Sequence, residues 1–313
     1  MEKWIVALDF SNFDNIILKY TSYFSGYLQP KEIHFVNIQK EEDYEYLPLN
    51  LLELKRQVYK DRELNLKDKV QQYFPDDDNI KKYFHVLEGS VVYEILNLDN
   101  YYRFDLLIMG KKPSQEGMAF SVDRLAKKIT SNVLIIPHDA MARLQRILIP
   151  IDFSAHAQLA FQVAKKLYLR NTAKIQLLTH HFYKVPFEYT LEHSEHELQQ
   201  IIEQYARKKM RQFIKRGSRV RDSYSQRGGG DIAVLLANWV RENAIDLVVC
   251  GSKGQTKRSL LMLGSNVQKM IYTISGCPLL IIKEPDENKN FFNAMKDEQP
   301  AKVLTKNMRE ERL

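Results

Sequence analysis

The chain repeats itself at a distance of one domain. A short apolar run, Trp4 to Leu8, is followed by Asp9-Phe10-Ser11, and another, Ile147 to Ile151, is followed by Asp152-Phe153-Ser154. Asp105 to Gly110 (DLLIMG) has a counterpart in Asp246 to Gly251 (DLVVCG). Ser121, Val122, Leu125, Ala126 and Ile129 repeat the pattern of Ser265 onward, and Asn132 to Pro137 repeats the run Pro278 to Ile282. The copies lie 141 to 144 residues apart. A period this long marks a duplicated domain, whereas solenoid repeats recur every 20–50 residues or so. At 313 residues the chain has room for two such units.

Within each copy apolar runs of strand length alternate with amphipathic stretches of helical period. Strands are expected near 4–8, 32–38, 83–88, 105–109 and 133–136, and again near 146–151, 174–180, 219–225, 246–250 and 278–282. Helices are expected near 13–25, 50–73, 91–102 and 121–130, then near 155–169, 194–216, 231–243 and 265–275. Strict alternation demands a parallel sheet covered on both faces, so the fold class is α/β, with two tandem doubly wound five-stranded domains. The divisions fall at 1–139, 140–283 and a polar tail, 284–313. The join, about His138 to Arg143, is short enough to hold the halves together. Ser194 with Glu197 forms a capping box and Asp231 an N-cap. The stripe Leu198, Ile201, Ile202, Tyr205 and Phe213 is expected to face the core in the sixth helix, and Ile232, Leu235, Leu236 and Trp239 in the seventh.

The chemistry concentrates in Asp246 to Lys283. An apolar strand ends at Gly251, Gly254 follows after two residues, Gly264-Ser265 after nine more, and a helix and a short strand close the segment. Glycines permit positive φ and let backbone N–H groups crowd round an anion. Ser265 is expected as the N-cap of a helix whose free N–H groups face the loop. Lys253, Lys257 and Arg258 add positive charge. This describes a phosphate cradle at the C-terminal end of a parallel strand, where open α/β sheets bind ligands.

The spacing G-x2-G-x9-G-S, with its order of strand, loop, helix and Pro-containing strand, resembles the nucleotide-binding signature of the universal stress protein family. The resemblance spans both halves, roughly residues 1–283, and its binding motif matches only the second. It implies a Rossmann-like fold of the adenine nucleotide alpha hydrolase-like kind. It further implies binding of ATP or another adenine nucleotide, and a regulatory, stress-response role. By that resemblance Pro150, Ile151 and Asp152 lie near the adenosine, and His180, preceded by Thr179, lies against the adenine. The loop Gly251, Ser252, Lys253, Gly254, Gln255, Thr256 and Lys257, followed by Gly264, Ser265, Asn266 and Val267, holds ribose and phosphates. Asp152 is suited to the ribose or to a phosphate-bound Mg²⁺; its other reading is as part of the first helix's N-cap, beside Ser154. The family pairs its domains through the last strand, which implies an intramolecular pseudo-dimer, with a further homodimer left open.

The first half departs from the motif. Leu8 stands where Pro150 stands, Pro113 removes a donor from the loop, Gly117 is out of register and Phe120 replaces Gly264. Ten residues separate Gly110 from Ser121, against thirteen between Gly251 and Ser265. One nucleotide per chain is therefore expected, in the second half.

Other classes receive less support. No apolar run approaches the roughly 20 residues a membrane helix needs, and the chain enters a strand directly after Met1, so a cytoplasmic protein is expected, without membrane or nucleic-acid partners. Net charge is +7, much of it on the sixth helix, and a solvated helix face accounts for that charge. Cys250 and Cys277 are expected to be packed in the core as free thiols. His180, His181, His193 and His196 lack the spacing of a metal site, and none is assigned. No catalytic constellation or Walker motif occurs, so hydrolysis is at most weak. A slow ATPase in the same pocket and a nucleotide-free interaction protein are the alternatives, and the protein partners are unknown.

Overall fold

A computed structural model describes residues 1–39, 50–75, 79–112, 119–184, 194–214, 220–226, 230–254 and 263–284. The first half runs β1 (Lys3–Leu8), α1 (Asp14–Leu28), β2 (Glu32–Gln39), α2 (Asn50–Gln71), β3 (Lys81–Glu88), α3 (Val91–Tyr102), β4 (Leu106–Lys111), α4 (Ala119–Lys128) and β5 (Asn132–Pro137). The second runs β6 (Arg146–Pro150), α5 (Ala155–Arg170), β7 (Gln176–Tyr183), α6 (Glu195–Ile214), β8 (Val220–Gln226), α7 (Ile232–Glu242), β9 (Leu247–Gly251), α8 (Ser265–Thr273) and β10 (Leu279–Ile282).

The strands form one ten-stranded sheet in the order β3-β2-β1-β4-β5-β10-β9-β6-β7-β8. Each half contributes five parallel strands in the same order. The halves meet where β5 pairs antiparallel with β10, with Leu279 opposite Ile135 and Ile281 opposite Val133. The two last strands are therefore neighbours, as the resemblance implies. Side chains from α1, α2, α5 and α6 join one face of the sheet in a single buried cluster. Those of α3, α4, α7 and α8 cover the other. Both faces are dry, so the central strands are apolar throughout and not alternating.

The duplication extends to local devices. The Asp105 carboxylate accepts the backbone N–H groups of Glu2 and Lys3, at 2.6 and 3.0 Å. Asp246 accepts those of Gln145 and Arg146, both at 2.9 Å. Each aspartate thus anchors the start of its half's first strand. Phe10 and Phe153 both adopt left-handed backbone, with φ of 61° and 62°. Bulky residues rarely sit there, so the turn after the first strand is held in the same strained form twice.

Three expectations are corrected. In α6 the buried positions are Leu198, Ala206 and Met210, while Ile201 and Tyr205 are 57% and 58% exposed. The small Ala206 lets the helix lie close to the sheet, and this rotates Tyr205 outward, where Lys209 sits over its ring. In α7 the buried stripe is Ala233, Leu236 and Val240, with Leu235 and Trp239 half-buried. Ser121 does not start its helix, because α4 begins at Ala119. Cys250 and Cys277 are buried free thiols. Burial pushes the Cys250 thiol up to about 12 and raises that of Cys277 as well, so neither is a ready thiolate. Asp231 caps α7 through the N–H of Ala233, and Ser194 and Glu197 form the reciprocal box.

Candidate functional site

At the C-terminal ends of β6 and β9 the sequence forces two tight approaches. Gly251 ends β9 against the first turn of α5. A methyl there would lie 2.5 Å from Cβ of His156 and 2.6 Å from its backbone carbon. Gly254 lies beside Asp152, with Oδ2 2.9 Å from where a Cβ would stand. Gly264 donates its N–H to the carbonyl of Ser252 at 2.8 Å, folding the start of α8 back over the loop. A methyl at Gly264 would contact Ser252, Lys253 and Gly254 at 3.4 to 3.8 Å. None of the three glycines has positive φ. Gly251 and Gly254 are needed for close approach, not for unusual conformation, whereas a methyl at Gly264 would meet ordinary contacts only, which corrects part of the expectation.

Gly264, and not Ser265, is the N-cap of α8; Ser265 is the first helical residue. Gly264 is the extended residue, donating to the Ser252 carbonyl, so the helix begins one residue earlier than expected. Among the described residues no side chain caps this helix. The N–H groups of its first turn lack helical acceptors and, with the helix dipole, present positive potential over the loop. Val267 points into the core, so only its backbone faces this end of the helix.

Asp152 serves the other side. Its Oδ1 accepts the Ser154 N–H at 2.9 Å, and Ser154 caps α5 through the Ala157 N–H at 3.1 Å. Ile151 has both backbone groups engaged: its N–H donates to the His180 carbonyl at 2.8 Å, and its carbonyl lies 2.6 Å from Nδ1 of His181. Its side chain is buried. Pro150 ends β6 opposite His180. Gln255, Thr256, Lys257 and Arg258 lie outside the described residues, as do Pro113, Gly117, His193 and the tail from 285 onward.

His180 is fully buried, beneath Trp239 at 4.8 Å and Phe182 at 4.4 Å between ring centroids. The Ser223 hydroxyl donates to the Thr179 carbonyl, so it accepts from Nδ1–H of His180 at 2.8 Å. Nε2 is left as an unprotonated acceptor, without a partner among the described residues. Desolvation, with His181 adjacent, lowers this imidazole to about 4, so it is neutral at physiological pH.

Sequence reasoning missed His156. It is buried behind Gly251, with Nδ1 3.4 Å from the Ser252 hydroxyl and Nε2 3.9 Å from the Glu284 carboxylate. Its only signal was its place two residues after Ser154, in the first turn of the helix that Gly251 must admit.

The first half is built differently at the matching place. Asp9 again accepts the N–H of its turn serine, Ser11, at 3.0 Å, but its Oδ2 is held by Lys112 at 2.5 Å. Burial pushes the Asp9 carboxyl up, yet Lys112 and Ser11 outweigh it and hold the group below its usual value. Lys111, at the position of Ser252, reaches across to the second half. Its ammonium donates to the carbonyls of Tyr272 and Ile274, at 3.0 and 2.9 Å, at the C-terminal end of α8.

Residues 143–283 match the family model of the Universal stress protein family. The second half is a universal stress protein domain. A universal stress protein from Archaeoglobus fulgidus DSM 4304 superposes with a TM-score of 0.63 at 17% identity, over 91% of this chain and 97% of that one. A functionally unknown protein from Pseudomonas aeruginosa PAO1 gives 0.62 at 14% identity, over 95% and 98%. Both span the two halves, so the fold of the first half is shared with them. Comparison with curated proteins returned no match. Among the described residues no helix is long and apolar enough to cross a membrane.

Proposed function

We propose that the universal stress protein domain binds one adenine nucleotide per chain, of the ATP type, and that the chain acts as a nucleotide-dependent regulatory module in a stress response. The observation that carries this reading is the N-terminus of α8, which no side chain among the described residues caps, folded back over Ser252 beside Gly251 and Gly254. A triphosphate requires several convergent N–H donors and space for its oxygens. Ser265, Asn266 and Val267 would supply backbone donors, with Gly251 to Gly254 beneath them and Gln255 to Lys257 continuing the loop. Asp152 would take the ribose hydroxyls, or a Mg²⁺ ion entering on the phosphates, which would supply charge neutralisation. His180 and Pro150 would border the base.

Gly264→Phe copies the first half and places a ring over the loop. Calorimetric titration of this variant with ATP and Mg²⁺ should show at least about 100-fold weaker binding, corresponding to roughly two charge-assisted contacts. Undiminished binding would refute the site. Phosphate release followed over hours should stay at background; sustained turnover would make the domain an ATPase.

A further inference from the structure

The opposite edge of the sheet, at the strands' N-terminal ends, carries a second feature. A cleft of about 670 Å³ opens in the second half between the starts of β6, β7 and β8 and the end of α5. Its volume lies within the range of small-molecule sites, roughly 300–1,000 Å³. Arg146, Lys174 and Arg221 line it, and all three are exposed. Arg146 spends one N–H on the Asn243 carbonyl at 2.8 Å. Among the described residues no ion pair forms on Lys174 or Arg221. Among the described residues no carboxylate lines the cleft. Asp246, which touches Gln145 and Arg146 through their backbone, is also engaged by Arg143.

The duplication supplies an internal control. Lys3 lies opposite Glu32 in the first half just as Arg146 lies opposite Gln176 in the second. The preceding residues, Glu2 and Gln145, correspond too, each accepting a backbone bond from the neighbouring strand. In the first half both carboxylates are matched with cations: Lys3 pairs with Glu32 at 3.0 Å and Lys31 with Glu2 at 2.8 Å. In the second half both positions carry the neutral amide, Gln145 and Gln176; Arg146 stands in the place of Lys3, Ile175 in that of Lys31, and Lys174 supplies a cation one residue earlier. The two rims share a backbone and differ in charge balance. Amides keep hydrogen-bonding capacity without competing for the cations.

We infer that this cleft is a binding site for a small, multiply charged anion, a phosphate ester or a pyrophosphate, distinct from the loop at the other end of the sheet. Three cations converge on it, and Gln145 and Gln176 can donate to the same oxygens. Tyr168 and Leu177 provide an apolar floor for an organic portion.

The test uses the full chain and inorganic pyrophosphate as probe, by calorimetry at low ionic strength. Wild type should bind at this site, with affinity falling as salt rises. The double variant Gln145→Glu/Gln176→Glu restores the first half's charges at exposed positions and should weaken that binding at least about tenfold, as should Lys174→Gln/Arg221→Gln. Gly264→Phe, which removes the proposed nucleotide site, should leave it unchanged. Binding that survives both double variants, or that vanishes with Gly264→Phe alone, would overturn the inference. Affinity for a glucose phosphate equal to that for pyrophosphate would assign an organic ester as the ligand class. Tighter binding of duplex RNA, equally lost in both double variants, would instead make the face a nucleic-acid surface and refute the small-anion reading.

Discussion

The two halves share a backbone, a strained Phe and a serine turn, yet they treat the aspartate after the first strand in opposite ways. In the first half Lys112 closes on Asp9, and Lys69 reaches from α2 to Asp14 at 3.0 Å and to the Ser11 carbonyl at 3.0 Å. In the second half Gly254 takes the space beside Asp152, and a neutral Ser154 cap holds the turn. The first half closes on its aspartate with Lys112, whereas in the second no side chain among the described residues caps the start of α8. At the matching place the first half holds an ion pair, and Lys111 turns to the far end of α8, where a cation complements the helix dipole.

The largest effect that sharpens this contrast is steric. Gly251→Ala drives a methyl into the backbone of His156, whereas Gly110→Ala meets only the Phe13 ring and the Ile17 methyl, at 2.3 and 2.7 Å. Side chains can turn away and a capped helix start cannot. Urea denaturation should show a loss of about 3 kcal/mol or more at Gly251 and roughly 1 kcal/mol at Gly110. Equal losses would mean that the two glycines do the same work.

Lys69→Met leaves Asp14 buried without its cation, and the cost should be about 3 kcal/mol at neutral pH. Burial already raises this carboxyl, against the Asp9 N–H and Lys69. Its protonated form is thus the better tolerated one in the fold, and the variant's deficit should shrink as pH falls toward 4. A deficit independent of pH would place the loss elsewhere. The matching change in the second half, Ser154→Ala, removes only a helix cap and should cost about 1 kcal/mol.

Acid should weaken the first half more than the second. His34 and His85, 2.9 Å apart and packed with Tyr83, Tyr102 and Phe104, are lowered by desolvation to about 3 and about 4. In the second half His180 is similarly lowered, to about 4. Depressed imidazoles contribute stability that is complete above the unfolded value of about 6.5 and is lost as pH falls toward 4, up to about 1.4 kcal/mol per group per pH unit. His34→Phe should flatten the fall in urea midpoint between pH 6.5 and 4.5. An unchanged slope would show that the pair does not titrate on unfolding.

Much of this fold was legible in the residues. The strands are apolar runs bounded by Gly, Pro or Asp, and the repeat showed which runs correspond; the β5–β10 junction was expected only from the resemblance to a family that pairs its domains through the last strand. The rotation of α6 was not legible. Periodicity weighs Ile201 and Tyr205 above Ala206, but close approach to the sheet favours the small residue. At the site, the glycine positions and Asp152 were visible as a pattern. His156, Trp239 over His180, and the Asp9–Lys112 closure were not, because each joins residues far apart in sequence with no local signature. The loop's chemistry could be read locally; the way the other half closed its loop could not.

If one half keeps a nucleotide site and the other has filled its own, titrating the full chain with ATP and Mg²⁺ counts the sites directly. One nucleotide per chain is expected, abolished by Gly264→Phe and unaffected by Lys112→Met. Two nucleotides per chain, or one whose binding is lost with Lys112→Met and retained with Gly264→Phe, would contradict it.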